Sequence, residues 1–131
     1  MESVPPGTNR TGQLNRRATG ALYEARARHW LEQQGLQFIA ANVQFKGGEI
    51  DLVMRDAQSW VFVEVRYRRN ADFGSAQASV TRSKQRRVIN AATCWLIQQK
   101  RMLHQERCRF DVVAITGDQL DWIPDAFNAG A

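Results

Sequence analysis

The sequence predicts an α/β fold, and three observations carry that reading. Apolar residues recur at helical spacing between Ala18 and Gln34. Runs rich in β-branched and aromatic residues then fill most of the stretch from Gln37 to Arg66. A second helical pattern begins at Thr81, and two further strand-like runs follow it. The chain has 131 residues and is 44 % hydrophobic, which suits one domain around one core.

Residues 1–17 contain Pro5-Pro6-Gly7 and scattered polar residues without a period, and read as a flexible basic tail ahead of a single domain over 18–131. The helix from Ala18 to Gln34 ends at Gly35, and Tyr23, Ala27, Trp30 and Leu31 form its apolar stripe. Glu24 lies at the edge of that stripe. It either leans toward the surface the helix packs on or pairs with Arg28 one turn later. Gln37 to Val43 is the first strand, and Asn42 to Gly48 a loop. Lys46-Gly47-Gly48 in that loop either admits a phosphate or is an ordinary turn.

The chain is organised around Gly47 to Arg66, GGEIDLVMRDAQSWVFVEVR. Glu49 to Met54 and Trp60 to Arg66 read as the strands of a β-hairpin, with Asp56-Ala57-Gln58-Ser59 as its turn. Strand side chains alternate between faces, so Glu49, Asp51 and Val53 share one face, and Glu64 and Arg66 share one on the partner. Glu64 sits inside Val-Phe-Val-Glu-Val, where a buried charge is costly unless paired or bound to a metal. If Asp51 and Glu64 face each other about 4 Å apart, they repel by roughly 4 kcal/mol at an effective dielectric of about 20. A divalent cation offsets that repulsion by taking carboxylate oxygens as ligands. A salt-bridged hairpin with its acids in water is the alternative.

After the hairpin, Tyr67 to Val80 reads as a loop. Arg68 and Arg69 begin it, while Tyr67 and Phe73 either stack on bases or pack. Thr81 N-caps a helix running to about Lys100, with Val88, Ala91, Ala92 and Trp95 as its core stripe. Arg82, Lys84, Arg86 and Arg87 crowd its first turns. There they oppose the helix dipole and, with the free N–H groups, form an anion site. Arg109 to Thr116 and Gln119 to Ile123 are two more strands around Gly117-Asp118, with Asp111 a structural acid rather than one supporting the site, and Trp122 a core residue rather than a stacking platform.

Charge is unevenly spread. Residues 66–109 hold 11 Lys or Arg against 2 acids, a local +9 in a chain of net +5. A basic block beside an acidic hairpin points to a polyanion, although a solvated helix face has the same composition. Cys94 and Cys108 are too few for a disulfide framework or a zinc site. No apolar run approaches membrane-spanning length and no signal-peptide core stands at the start, so a cytoplasmic location is expected.

Asp51, a spacer of about a dozen residues and then Glu64-Val65-Arg66 resembles the PD-(D/E)xK nuclease core. The strings Gly-Gly-Glu-Ile-Asp-Leu-Val from Gly47 and Phe-Val-Glu-Val-Arg from Phe62 more specifically resemble the YraN family. These small bacterial proteins are similar to archaeal Holliday junction resolvases. The resemblance extends from about Gly20 to Phe127 and implies a restriction-endonuclease-like αβββαβ core, a mixed sheet flanked by helices. It implies metal-dependent hydrolysis of DNA, including branched or junction DNA, by enzymes that are often homodimers. It makes Glu24, in Gly20-Ala-Leu-Tyr-Glu-Ala, a ligand of Mg²⁺ or Mn²⁺ together with Asp51, Glu64 and the backbone carbonyl of Val65. The metal would lower the pKa of a water that Glu49 helps orient. Lys46, Arg68, Arg69, Arg82, Lys84, Gln85, Arg86 and Arg87 would hold the nucleic acid.

Two positions depart from the motif. Ile50 stands where it has Pro, and Arg66 where it has Lys. Arginine stays charged, so Arg66 can stabilise a transition state but is a poor general base. The sequence therefore also admits a nucleic-acid-binding module without turnover, or a protein-interaction domain with an acidic partner.

Overall fold

The computed structural model describes residues 8–69 and 79–129, with side chains from Thr19 onward. Helix α1 spans Thr8–Gln33, beginning ten residues before the expected Ala18. The added stretch, Thr8 to Arg17, is polar and holds Gly12, two Thr and two Asn, so neither an apolar period nor helix propensity announces it. Residues 1–7 of the expected tail lie outside the described residues. The helix ends as expected at Gly35, whose φ of 100° suits glycine. The N–H of Leu36 returns to the Leu31 carbonyl at 3.1 Å, closing the last turn.

Strand β1 (Gln37–Phe45) turns directly into β2 (Gly48–Arg55), with Phe45 opposite Gly48. The loop expected over 42–48 is thus a two-residue turn at Lys46-Gly47. A register shift after Phe38 and a left-handed Asn42 (φ 53°) interrupt the alternation by which the strand's second half would have been recognised. The turn between β2 and β3 (Trp60–Tyr67) is held by Asp56, whose Oδ1 accepts from the N–H groups of Gln58 at 2.8 Å and Ser59 at 2.6 Å. Tyr67 therefore ends a strand rather than starting a loop, and Phe73 lies outside the described residues.

Helix α2 (Arg82–Gln98) carries the chain across to β4 (Cys108–Thr116), which lies parallel to β3. Thr81 caps α2 as expected, its hydroxyl accepting from the Lys84 N–H at 3.2 Å. Strand β5 (Gln119–Phe127) returns antiparallel and continues past the expected Ile123. Pro124 is tolerated there because β5 is an edge strand. The sheet runs β1-β2-β3-β4-β5, mixed and flanked by helices, the α/β architecture and element order that the sequence predicts.

Each helix covers one face. Ala27 and Leu31 of α1 pack on Leu52, Met54, Val61, Val63, Val113 and Ile115. Val88, Ala91, Ala92, Trp95 and Leu96 of α2 pack on Val53, Trp60, Phe62, Phe110 and Val112. Strand β3 is consequently buried on both sides, which explains its near-continuous apolar run. Phe62 alone, wholly buried against Trp95 and Phe110, contributes about 1.5–3 kcal/mol. Cys94 and Cys108 are both free thiols. Among the described residues, no helix is long and apolar enough to cross a membrane.

Candidate functional site

The hairpin stops pairing regularly where its acids begin. Matched positions run from Arg55 opposite Trp60 to Leu52 opposite Val63. Beyond them Asp51 Oδ2 accepts from the Val65 N–H at 2.8 Å, so a side chain takes over the bond a strand carbonyl would make. This places the Asp51 carboxylate at the seam between the two strands, within reach of both helices. Glu24 approaches from α1, where Asn42 hydrogen-bonds to it, and Glu64 approaches from β3.

Crowding and burial set the protonation of this group. Burial, then the Asp51 charge, push Glu64 up to about 8, against the pull of Lys84 and Arg66. The same two causes push Glu24 up to about 7, while the Asn42 hydrogen bond opposes the rise. Asp51 is also raised, chiefly by burial, with the Val65 N–H and Lys84 opposing. At neutral pH Glu64 and Glu24 therefore retain protons that ordinary carboxylates would have lost. Glu64 is 3 % exposed, and its Oε1 is buried without a hydrogen-bond partner. An unsatisfied buried oxygen among carboxylates fits a hard divalent cation such as Mg²⁺ or Mn²⁺, with Glu24, Asp51 and Glu64 as oxygen donors. Among the described residues, no three acid, His or Cys side chains lie close enough together to hold a metal ion between them. The contacts run pairwise through Asp51.

The basic block divides into cations turned inward and cations left outside. Glu49 is gripped by Lys84 Nζ at 2.5 Å and by Arg87 Nη2 at 2.8 Å, and these partners hold its carboxyl down to about 2. Lys84 Nζ also stands 3.8 Å from Glu64 Oε2, as does Arg66 Nη1 from the open side. Arg68 pairs with Asp121 at 3.5 Å, and Gln85 donates to the Val80 carbonyl at 3.1 Å. Lys46, Arg69, Arg82 and Arg86 are exposed. Tyr67, a candidate for stacking on bases, stacks instead on Tyr23, with ring centroids 4.5 Å apart.

Asn42 and Gly48 carry structural weight that sequence reasoning missed, and Lys84, expected among the nucleic-acid contacts, pairs with Glu49 and stands near Glu64. Lys84 precedes Val88 by one turn, in register with the buried stripe of α2, and that register was the available signal. Asn42 gave none beyond the tolerance of Asn for left-handed backbone. The alternative pairing of Glu24 with Arg28 does not form. Arg28 bridges to Glu32 at 3.5 Å and lies over the Phe38 ring. Asp111 is structural, as expected. It is fully buried and accepts from Arg109 Nε, Trp122 Nε1 and the Asp125 N–H.

A hollow of about 180 Å³ opens beside Glu24, lined also by Ala21, Arg28, Asn42 and Leu52. A larger cleft of about 550 Å³ lies among Ile97, Met102, Leu103, Phe110 and Phe127, and none of the three acids lines it.

Residues 23–115, which include all three acids, match the family described as Uncharacterised protein family UPF0102. A UPF0102 protein of Pectobacterium carotovorum is 61 % identical over 114 residues, covering 87 % of this chain and 97 % of that protein. One from Serratia proteamaculans is 60 % identical over 116 residues, covering 88 % and 99 %. The UPF0102 protein YraN of Escherichia coli is 53 % identical over 128 residues, covering 98 % of each chain. With relatives this similar over nearly the full length, the chain belongs to the UPF0102 family of bacterial proteins, which includes YraN.

Proposed function

We propose that this protein is a cytoplasmic, metal-dependent endonuclease that hydrolyses phosphodiester bonds in DNA, with branched or junction DNA as the preferred form. The carrying observation is the seam in the hairpin. Asp51 meets Glu24 on one side and Glu64 on the other, and Glu64 keeps a buried oxygen without a partner. The motif spacing from Asp51 to Glu64-Val65-Arg66 supports the same reading. Mg²⁺ or Mn²⁺ would be held by Glu24, Asp51, Glu64 and the Val65 carbonyl, and supplies Lewis acidity toward the phosphate when bound. Arg66, 41 % exposed beside Glu64, offers its guanidinium to charge developing on the phosphate. Arg69, Arg82 and Arg86 are exposed cations that suit the flanking backbone.

Incubation of the protein and of Asp51→Asn with a four-way DNA junction, linear duplex and RNA, each with Mg²⁺ or Mn²⁺, tests this. The parent cuts DNA, and both Asp51→Asn and chelation stop it. Arg66 in the lysine position favours a second reading, a nucleic-acid-binding module without turnover. Binding by both proteins with cleavage by neither selects that reading. Absence of salt-sensitive binding leaves a protein-interaction domain.

A further inference from the structure

We propose that Lys84 is a built-in counter-ion of the acidic site, which Glu49 holds in reach and which an entering divalent cation must move off Glu64. The inference rests on the metal-site reading above and concerns how that site is filled.

Lys84 reaches the acids from the first turn of α2, and three features fix it there. Thr81 caps that turn through the Lys84 N–H, the Gln85 side chain ties it to the Val80 carbonyl, and Gly48 lets the helix backbone press onto β2. The ammonium then lies between two carboxylates, 2.5 Å from Glu49 Oε2 and 3.8 Å from Glu64 Oε2. Arg87 occupies Glu49 from the other side, through Nε at 3.3 Å and Nη2 at 2.8 Å. Both Glu49 oxygens are thus committed to cations. Glu49 is thereby a positioning residue for Lys84. Arg87 pairs with Glu49 and Lys84 with both acids, so the two cations differ in one relevant respect, contact with Glu64.

Calorimetric titration with Mn²⁺ alone tests the assignment on the full chain, comparing Lys84→Met, Lys84→Arg and Arg87→Met with the parent. Lys84→Met is expected to bind Mn²⁺ about tenfold tighter, because a unit charge about 4 Å from a ligand oxygen no longer competes. Lys84→Arg keeps the parent affinity within about threefold, and Arg87→Met within about twofold, by the same argument. Equal tightening in Lys84→Met and Arg87→Met would reduce Lys84 to one charge among several and overturn the proposal. Unchanged affinity in Lys84→Met overturns it as well. If Lys84→Met does not fold, Lys84→Gln takes its place with the same expected tightening. Tightening in a protein that cuts no nucleic acid leaves this proposal standing and removes the nuclease reading. Silence toward Mn²⁺ in every variant removes this proposal together with the metal site.

Discussion

A Cβ added to Gly48 would lie 1.8 Å from the carbonyl oxygen of Arg87 and 2.6 Å from its carbonyl carbon. Both atoms belong to the α2 backbone, so no side chain can rotate away. Gly48 is therefore the point at which α2 rests on the hairpin, and the same helix delivers Lys84 and Arg87 to Glu49. Gly48→Ala is expected to cost about 3 kcal/mol in urea denaturation through overpacking. The nearest atoms to a Cβ on Gly47 are at 3.8 Å on the Asn90 side chain, an ordinary contact. Gly47→Ala is expected to cost about 0.5 kcal/mol or less. Equal losses would show that the contact at Gly48 does not hold the helix.

Stability should depend on pH with a particular sign. Glu64 and Glu24 bind protons in the fold at pH values where the unfolded chain has released them, since their carboxyls are pushed up to about 8 and about 7. Their contribution is complete below the ordinary carboxylate range and disappears as pH climbs toward 8. Glu49, held down to about 2, does the reverse, losing its contribution as pH falls from the ordinary range toward 2. The metal-free protein is expected to melt highest near pH 5 and several degrees lower at pH 8. Glu64→Gln should raise the melting temperature at pH 8 and flatten that slope. A slope of opposite sign between pH 5 and 8 contradicts the account of the buried acids.

Among the described residues, Glu64 and Asp111 are the two buried acids, and they predict opposite responses. Asp111 has donors on both oxygens, from Arg109, Trp122 and the Asp125 backbone. Asp111→Ala leaves these donors without an acceptor and is expected to cost about 3 kcal/mol or more. It should leave Mn²⁺ affinity within about twofold, because no charge at the Asp51 seam changes. Lower Mn²⁺ affinity in a folded Asp111→Ala would place Asp111 in the site.

The exposed cations should govern nucleic-acid affinity through salt. Replacing both Arg82 and Arg86 with Gln is expected to reduce the slope of log affinity against log salt by about two on duplex DNA. An unchanged slope, measured by fluorescence anisotropy across a salt series, shows that α2 does not face the phosphates.

Most of the fold was legible because its signals are local. The β2–β3 hairpin, the Asp56 turn, the Thr81 cap and the buried stripe of α2 follow from residue type and spacing alone. Two boundaries were not legible. The early start of α1 runs through a polar stretch with Gly12 and neither apolar period nor strong propensity, and the second half of β1 lies behind a backbone irregularity at Asn42. At the site, the resemblance singled out Glu24, Asp51 and Glu64, and the structure sets Glu24 and Glu64 each against Asp51. What was hidden required three dimensions. Lys84 looked like one more cation in a basic run until α2 was seen resting on Gly48, with its ammonium turned toward Glu49 and Glu64.

The central claim is that the carboxylates meeting at Asp51 bind a divalent cation. Anomalous diffraction from crystals grown with Mn²⁺ tests it most directly. The account predicts one strong peak coordinated by Glu24, Asp51, Glu64 and the Val65 carbonyl, with Lys84 withdrawn from Glu64 onto Glu49. No peak at these residues, with Lys84 still against Glu64 at saturating Mn²⁺, would contradict it.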